Sequence, residues 1–92
     1  MSIVIDNRTA GRFELEENGH IAFATYRRAD NIVTIPHVEA ATELRGKGTA
    51  SRLMDGITAL ARTQGFNIVP TCPYAVTWYR RHPEAADVLL HK

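Results

Sequence analysis

Apolar residues recur every three or four positions in the middle of this chain, which is the spacing of a helix. In the residues before that region they alternate with polar residues, as in strands. Between residues 48 and 64 they fall at intervals of three and four, which places them on one face of a helix. That stripe consists of Ala50, Leu53, Met54, Ile57, Leu60 and Ala61. Arg52, Asp55 and Arg62 fall off it, and Gly65 supplies a C-terminal stop. The pattern predicts an amphipathic helix over 48–64.

The front half of the chain predicts an antiparallel meander. The predicted strands are 3–5, 12–16, 21–26 and 32–39. Asn18 and Gly19 separate the second and third strands, and this dipeptide favours a tight hairpin because both positions tolerate positive φ. In the third strand, Ile21 and Phe23 occupy one face, whereas Ala22, Ala24 and Tyr26 occupy the other.

The second half changes to a βαβ arrangement. Strand 32–39, helix 48–64 and the apolar segment 66–69 have the lengths expected for two parallel strands joined by a helix. Pro73 suits the first position of a final helix over 73–81, with Cys72 at its N-cap. The sequence therefore predicts an α/β fold with a mixed sheet, in a single domain over 1–92.

The loop before the central helix has the composition of an anion site. Gly46 and Gly48 allow a tight turn and a close approach of the backbone to a ligand, and the helix that follows presents unpaired N–H groups. Arg45 and Lys47 add positive charge that suits a pyrophosphate. The alternative is an ordinary strand-to-helix turn.

Composition limits the classes of partner. Eleven basic and ten acidic side chains leave a formal net charge of +1, which predicts neither nucleic-acid nor membrane binding. One cysteine cannot form an internal disulfide, and the N-terminus has no apolar signal-like run, so we expect a cytoplasmic protein. A 92-residue domain buries only about 60% of its unfolded surface, so a bound cofactor or a homodimer interface would add useful stability.

Several motifs in order along the chain resemble the GNAT superfamily of N-acetyltransferases, and in particular its very small members. The residues from Arg45 to Ala50 match the pattern Arg/Gln-x-x-Gly-x-Gly/Ala. The other matching segments are Arg-Phe-Glu-Leu at 12–15 before Gly19, His37-Val38-Glu39, Pro70-Thr71-Cys72-Pro73 and His82-Pro83-Glu84. The resemblance implies a compact GNAT-like fold with splayed parallel strands and a C-terminal helix.

The resemblance also implies acetyl-CoA as the cofactor. Its pantetheine arm would lie along the splayed strand, against Val38 and Ala40. Its pyrophosphate would bind the loop and the first helical turn, at Arg45, Gly46, Lys47, Gly48, Thr49 and Ala50.

Three side chains are candidates for acetyl-transfer chemistry. His37 and Glu39 lie two positions apart on a strand and so share a face, where Glu39, directly or through water, or His37 would take a proton from an amine. Alternatively, this pair only hydrogen-bonds neighbouring backbone. Cys72, at a helix N-terminus that stabilises a thiolate, would accept the acetyl group, protonate departing CoA, or simply pack as a small apolar side chain. The three lack zinc-ligand spacing, so no metal site is predicted.

The final helix carries adjacent rings at Trp78 and Tyr79. Tyrosine often serves as the general acid in larger GNAT enzymes, but neighbouring helical positions cannot share a face. We expect one ring in the core and the other at the surface.

The predicted function is acetyl-CoA-dependent N-acetylation of an amine on a small molecule or a protein. So short a chain leaves the acceptor side shallow, to be completed by a second subunit or by the acceptor itself. The alternative is a CoA or acyl-CoA binding module that does not catalyse transfer. A nucleotide-phosphate binder is disfavoured because no Ser or Thr directly follows a Gly-Lys pair.

Overall fold

A five-stranded mixed sheet forms the frame of this computed structural model, which describes residues 3–90; Met1, Ser2, His91 and Lys92 lie outside the described residues. The strands follow one another across the sheet in chain order: β1 (Ile5–Asn7), β2 (Arg12–Glu17), β3 (His20–Ala29), β4 (Ile32–Ala40) and β5 (Asn67–Pro70). The pairs from β1 to β4 are antiparallel, and β4 pairs with β5 in parallel. The predicted α/β mixed sheet is confirmed.

Two helices and two short 3₁₀ segments complete the fold. Helix α1 spans Thr49–Gln64 and α2 spans Pro73–Arg81, with 3₁₀ turns at Thr42–Leu44 and Pro83–Val88. Gly48 is the N-cap of α1 and Gly65 its C-cap, while Cys72 caps α2 with Pro73 in the first turn. The predicted helices are therefore confirmed to within one residue.

The tight turns follow from residues that accept positive φ. Asn18 (φ 53°) and Gly19 (φ 78°) join β2 to β3, as the Asn-Gly signal predicted. Asp30 (φ 55°) turns β3 into β4. The predicted third strand, 21–26, was too short because β3 continues to Ala29, which pairs with Ile32.

The N-terminal strand is displaced from its prediction. Residues 3–5 were expected as the strand, but β1 begins at Ile5, which pairs with Glu14. Val4 packs on the core instead, directly over Gly56 of α1, where an added Cβ would lie 2.1 Å from Val4 Cγ2. The missing side chain at Gly56 thus makes room for Val4, which compensates for glycine's poor helix propensity.

One face of the sheet carries the core. Phe13 and Leu15 of β2, with Ala22 and Ala24 of β3, are buried beneath α1 and α2. Their neighbours in the strands point to the other side, which we call the open face; Phe23, Thr25, His37 and Glu39 belong to it. The small alanines are the buried set, and the larger Ile21 remains 39% exposed.

The two parallel strands separate after a short paired stretch. Their register ends where Ile35 faces Pro70, because Pro36 has no N–H and the chain after Pro70 turns into α2. The backbone N–H groups of Thr71 and Cys72 both donate to the Ile35 carbonyl, each at 3.1 Å. Beyond this point β4 runs on to Ala40, paired only with β3 among the described strands. The predicted splay is present.

The expectation for the two aromatic rings of α2 was wrong. Both Trp78 and Tyr79 are buried, each with 4% exposure. The Trp78 indole donates to Ser51 Oγ at 2.9 Å, and the Tyr79 hydroxyl meets Thr58 Oγ1 at 2.9 Å, so the pair reaches two separate turns of α1. His82 then stacks over Trp78 with ring centroids 4.1 Å apart, which closes the side that would otherwise face solvent.

Candidate active site

The loop at residues 45–48, the glycine loop, is bent by two left-handed glycines. Gly46 has φ 77° and Gly48 has φ 78°, a region that residues with a Cβ enter only under strain. An added Cβ at Gly46 would meet nothing within 4 Å, so the loop faces free space there. Between them, the Lys47 N–H donates to the Leu44 carbonyl at 3.3 Å and tightens the turn.

The first turn of α1 presents unpaired amide donors. The first hydrogen bond into the helix runs from the Arg52 N–H to the Gly48 carbonyl, at 3.1 Å. The amides of Gly48, Thr49, Ala50 and Ser51 precede that bond, and no side chain caps this end of the helix. Such donors, together with the positive end of the helix dipole, favour a bound anion.

A cavity of about 240 Å³ opens over these amides. It is lined by Ala40, Leu44, Arg45, Gly46, Gly48, Thr49, Ala50, Ser51 and Tyr74. A pocket that encloses a whole drug-sized ligand measures roughly 300–1,000 Å³, so this one accommodates part of a larger molecule. Its wall joins the end of β4, through Ala40, to the start of both helices.

Six of the predicted cofactor contacts line this cavity, and two do not. Arg45, Gly46, Gly48, Thr49, Ala50 and Ala40 belong to its wall. Val38 packs against the core beneath β4, and Lys47 is exposed on the outer side of the loop. Neither Arg45 nor Lys47 forms an ion pair with a carboxylate among residues 3–90, so both charges are available to an anion.

Sequence reasoning missed Leu44, Ser51 and Tyr74 as parts of the cavity wall. Leu44 is buried beneath the loop, and Ser51 holds the Trp78 indole. Tyr74 comes from the first turn of α2 and is 40% exposed; partial burial raises the pKa of its phenol. A tyrosine two residues after the N-cap at Cys72 was the available signal, because the splay brings that helix end to the cavity.

His37 and Glu39 share the open face, as predicted, and contact each other. His37 Nε2 lies 3.1 Å from Glu39 Oε1, and both side chains are 53% exposed. The Phe23 ring lies beside them, 6.2 Å from the His37 ring. Val38 and Ala40 alternate with them along β4, so the His37–Glu39 pair and Ala40, which lines the cavity, lie on opposite faces of one strand.

Cys72 lies with the core residues. It is a free cysteine, 6% exposed, at the N-cap of α2. No hydrogen bond or ion pair joins its thiol to His37 or Glu39 within the described chain. The structure therefore brings His37 and Glu39 into contact, whereas Cys72 is buried where the parallel strands separate, with its N–H on the Ile35 carbonyl.

Tyr79 has a structural environment. Burial raises the pKa of its phenol to about 12, and Thr58 occupies its hydroxyl. Its ring packs edge-on against Trp78, with centroids 5.0 Å apart. A phenol so placed supports the helix pair and has no exposed proton to donate.

The cavity has the features of an anion site. The unpaired first-turn amides and Arg45 line it, Gly46 leaves open space in front of the loop, and Lys47 lies on the same loop outside the wall. Within residues 3–90, no three or more His, Cys, Asp or Glu side chains are grouped so that they could hold a metal ion. None of the described helices is long and apolar enough to cross a membrane.

Comparison with known proteins agrees with this geometry. A family model described as GCN5-related N-acetyl-transferase matches residues 12–88. A solved structure from Staphylococcus aureus, titled a "GCN5-like putative N-acetyltransferase", superposes with a TM-score of 0.69 at 28% identity, covering 89% of this chain and 83% of that one. A search of curated proteins gave no significant match. The chain belongs to the GCN5-related N-acetyltransferase family, and acetyl transfer is the general activity this supports.

Proposed function

We propose that this protein transfers the acetyl group of acetyl-CoA to an amine, as an N-acetyltransferase of minimal size. The observation that carries the proposal is the cavity over the unpaired amides of Gly48 to Ser51, next to a strand that has separated from its parallel neighbour. The family match adds acetyl transfer as the general chemistry. The cofactor and the acceptor class are the parts of the proposal that need experiments.

Cofactor binding would use the backbone more than side chains. The loop and first-turn amides would hold the diphosphate, with Arg45 and Lys47 adding charge from the rim. The separated part of β4, ending at Ala40, offers backbone groups without a strand partner on that side to the pantetheine arm. When bound, acetyl-CoA supplies a thioester that is activated toward attack by an amine.

The acceptor amine would be deprotonated at the open face. A primary amine is mostly an ammonium ion at neutral pH, so a group on the protein must take a proton before attack. Glu39 is exposed, lies on the part of β4 beyond its register with β5, and is paired with His37 at 3.1 Å. Glu39 would accept that proton and share it with the imidazole. No helix among the described residues covers this face, so the acceptor would approach from solvent or with a partner protein.

The principal test measures cofactor binding and turnover separately. Acetyl-CoA should raise the melting temperature, and incubation with a panel of primary amines should release free CoA thiol. Glu39→Gln should slow release on the order of 100-fold, at the low end of general-base effects, and leave the acetyl-CoA thermal shift unchanged. Glu16→Gln is the matched control, since Glu16 is an exposed carboxylate on the same face of the sheet but on β2, two strands away from β4. Absence of an acetyl-CoA shift in the wild type would reject the proposal.

A CoA-binding module without catalysis is the second candidate. The burial of Cys72 favours it, because a thiol with 6% exposure is poorly placed to take up an acetyl group or to give a proton to departing CoA. This candidate predicts a thermal shift with CoA but no thiol release above that of the Glu39→Gln, Cys72→Ala double variant. Intact-mass analysis after incubation with acetyl-CoA would show stable Cys72 acetylation only if the thiol becomes accessible.

A further inference from the structure

A hydrogen-bonded cluster fastens the glycine loop to the far end of β2, and we call it the loop clamp: Glu17, Lys47, Thr49 and Arg52. Glu17 Oε2 accepts from Arg52 Nε at 2.7 Å, and Oε1 accepts from Arg52 Nη2 at 2.7 Å. Oε1 also accepts from the Thr49 hydroxyl at 2.6 Å. The residues joined in this way are more than thirty positions apart in sequence, so the contact belongs to the folded protein alone.

The clamp also reaches the backbone of the loop. Arg52 Nη2 donates to the Lys47 carbonyl oxygen at 3.0 Å. In a trans peptide the C=O and the following N–H point in opposite directions. Fixing the Lys47 carbonyl against Arg52 therefore turns the Gly48 N–H away from Arg52. Gly48 lines the cavity, and its φ of 78° directly follows the carbonyl that Arg52 holds.

The charge of Arg52 is neutralised by Glu17, so Arg52 holds the loop and does not itself bind an anion in the cavity. The guanidinium is matched by the Glu17 carboxylate through two parallel bonds, and hydrogen bonding to Glu17 raises the pKa of Arg52. The Glu17 side chain is only 15% exposed, and Thr49 is fully buried, so the clamp is shielded on the sheet side. Arg45 and Lys47, which flank Gly46 in the loop, form no ion pair with a carboxylate among residues 3–90.

We propose that Glu17 and Arg52 are positioning residues that hold the Lys47–Gly48 peptide in the orientation that presents the Gly48 amide to the coenzyme's diphosphate. This inference rests on the proposed function for the identity of the ligand. The orientation of the peptide itself is a property of the free protein.

The ion pair at the other end of α1 provides a matched control. Arg62 binds Asp87 through two bonds, at 2.9 and 2.7 Å, and donates to the Glu84 carbonyl oxygen at 3.0 Å. Arg62 thus makes the same set of contacts, a fork to a carboxylate and a bond to a backbone carbonyl, on the same helix but away from the cavity. A loss that appears in Arg52 variants and not in Arg62→Ala reports on the loop.

The binding experiment titrates the purified full-length protein with CoA and with inorganic pyrophosphate by calorimetry. Arg52→Ala should weaken CoA binding about tenfold, the size expected for loss of one charge-assisted hydrogen bond, whereas Arg62→Ala should bind as the wild type does. Arg52→Lys keeps the charge without the fork and should remain weak. The Glu17→Gln, Arg52→Gln double variant, which restores charge balance, should also remain weak.

Three results would overturn the proposal. Equal affinities for Arg52→Ala and Arg62→Ala would show that the clamp does not affect the site. Recovery of affinity in Arg52→Lys or in the double variant would show that net charge, and not peptide orientation, was responsible. The third is spectroscopic: in the ligand-free protein, Arg52→Ala should shift the Gly48 amide resonance and Arg62→Ala should not, so an unshifted Gly48 resonance in Arg52→Ala would overturn the proposal.

The spectroscopic measurement separates this inference from the proposed function. If the wild type binds neither CoA nor pyrophosphate, the proposed function fails, and the Gly48 resonance still decides whether the clamp sets the peptide. If the wild type binds CoA and the Gly48 resonance is unchanged in Arg52→Ala, the function stands and the clamp proposal fails.

Discussion

The two ends of helix α1 are built from similar residues, but their backbone N–H groups have different surroundings. Gly48 and Gly65 cap them with the same φ of 78°. At the C-terminal end the N–H groups of Gly65 and Phe66 both donate to the Ala61 carbonyl, at 2.8 and 3.2 Å, so the chain folds back onto the last turn of the helix. At the N-terminal end the amides face a cavity. A left-handed glycine therefore creates a site only where it leaves donors unpaired and space in front of them.

Each end also carries a forked arginine that holds a distant segment. Arg52 ties the glycine loop to Glu17 of β2, and Arg62 ties the C-terminal 3₁₀ segment to α1 through Asp87 and Glu84. Arg62 secures packing, whereas Arg52 secures a loop that presents amides. The two arginines differ in the segment that they contact. Variants at the two ends should therefore separate effects on unfolding free energy from effects on CoA affinity.

The largest effect is expected from the same substitution at both capping glycines. Gly48→Glu should abolish the thermal shift produced by CoA, because a carboxylate next to the first-turn amides would repel the diphosphate that we propose they bind. A Cβ at this position would also lie 3.1 Å from Arg52 Nη1. Gly65→Glu should lose stability on the order of 1 kcal/mol for the left-handed conformation and keep the shift. A retained shift in Gly48→Glu would remove the cavity from the binding site.

The dependence of stability on alkaline pH tests the buried side of α1, where the Tyr79 hydroxyl contacts Thr58. Burial raises the pKa of Tyr79 to about 12, above the ordinary value of 10.0, so the unfolded chain loses the proton first. The protonated Tyr79 phenol therefore stabilises the folded protein on the order of 2 kcal/mol. This stabilisation is fully present below about pH 10 and should be lost as the pH rises toward 12.

Urea unfolding at a series of pH values checks this prediction. Tyr79→Phe should weaken the alkaline loss without removing it, because the pKa of Tyr26, which donates to Asp6, is also raised to about 12. An identical pH profile in Tyr79→Phe would contradict the assignment. CoA binding near neutral pH should be the same in both proteins.

Removing the charge of Arg45 or Lys47 in the glycine loop should have a smaller and salt-dependent effect on CoA affinity. Arg45→Ala and Lys47→Ala should each weaken CoA binding by up to about 1 kcal/mol, since both side chains are exposed and screened. Calorimetric titrations at low and high salt would show the variants converging with the wild type as salt rises. A loss that does not shrink with salt would indicate a packing role instead.

The smallest effect is expected from Arg62→Ala. Its ion pair with Asp87 is exposed on both sides and screened by solvent, so its removal should lower the unfolding free energy only slightly. Urea unfolding measures that cost, and the CoA affinity should not change. A tenfold loss of affinity would mean that the two ends of α1 are coupled and would undermine the comparison.

Local patterns were sufficient for most of the fold. Asn18-Gly19 predicted the first hairpin, the three-four spacing predicted α1, and Pro73 predicted the start of α2, because each depends on neighbours within one or two turns. The first strand was misplaced by two residues. The reason is tertiary: Val4 fills the space over Gly56, and the strand begins only after it.

The candidate site was predictable in its backbone part and less so in its side chains. Gly46 and Gly48 pointed to the anion loop from composition alone, and His37 and Glu39 were placed on one face by the period of a strand. Tyr74 was missed because its place in the wall depends on how α2 leaves the splay. The roles of the predicted site residues stay predictions until the binding and turnover measurements are made.

The sequence by itself determined the order of the elements, the caps of both helices and the glycine loop, since these depend on φ preferences and spacing over a few residues. Tertiary structure decided that the alanine face of β3 is buried, that Trp78 and Tyr79 both reach α1, and that Glu17 grips Arg52. Such choices depend on which surfaces meet across the sheet. No short stretch of chain contains that information, because the energy of a contact between distant residues exists only once the fold has brought them together.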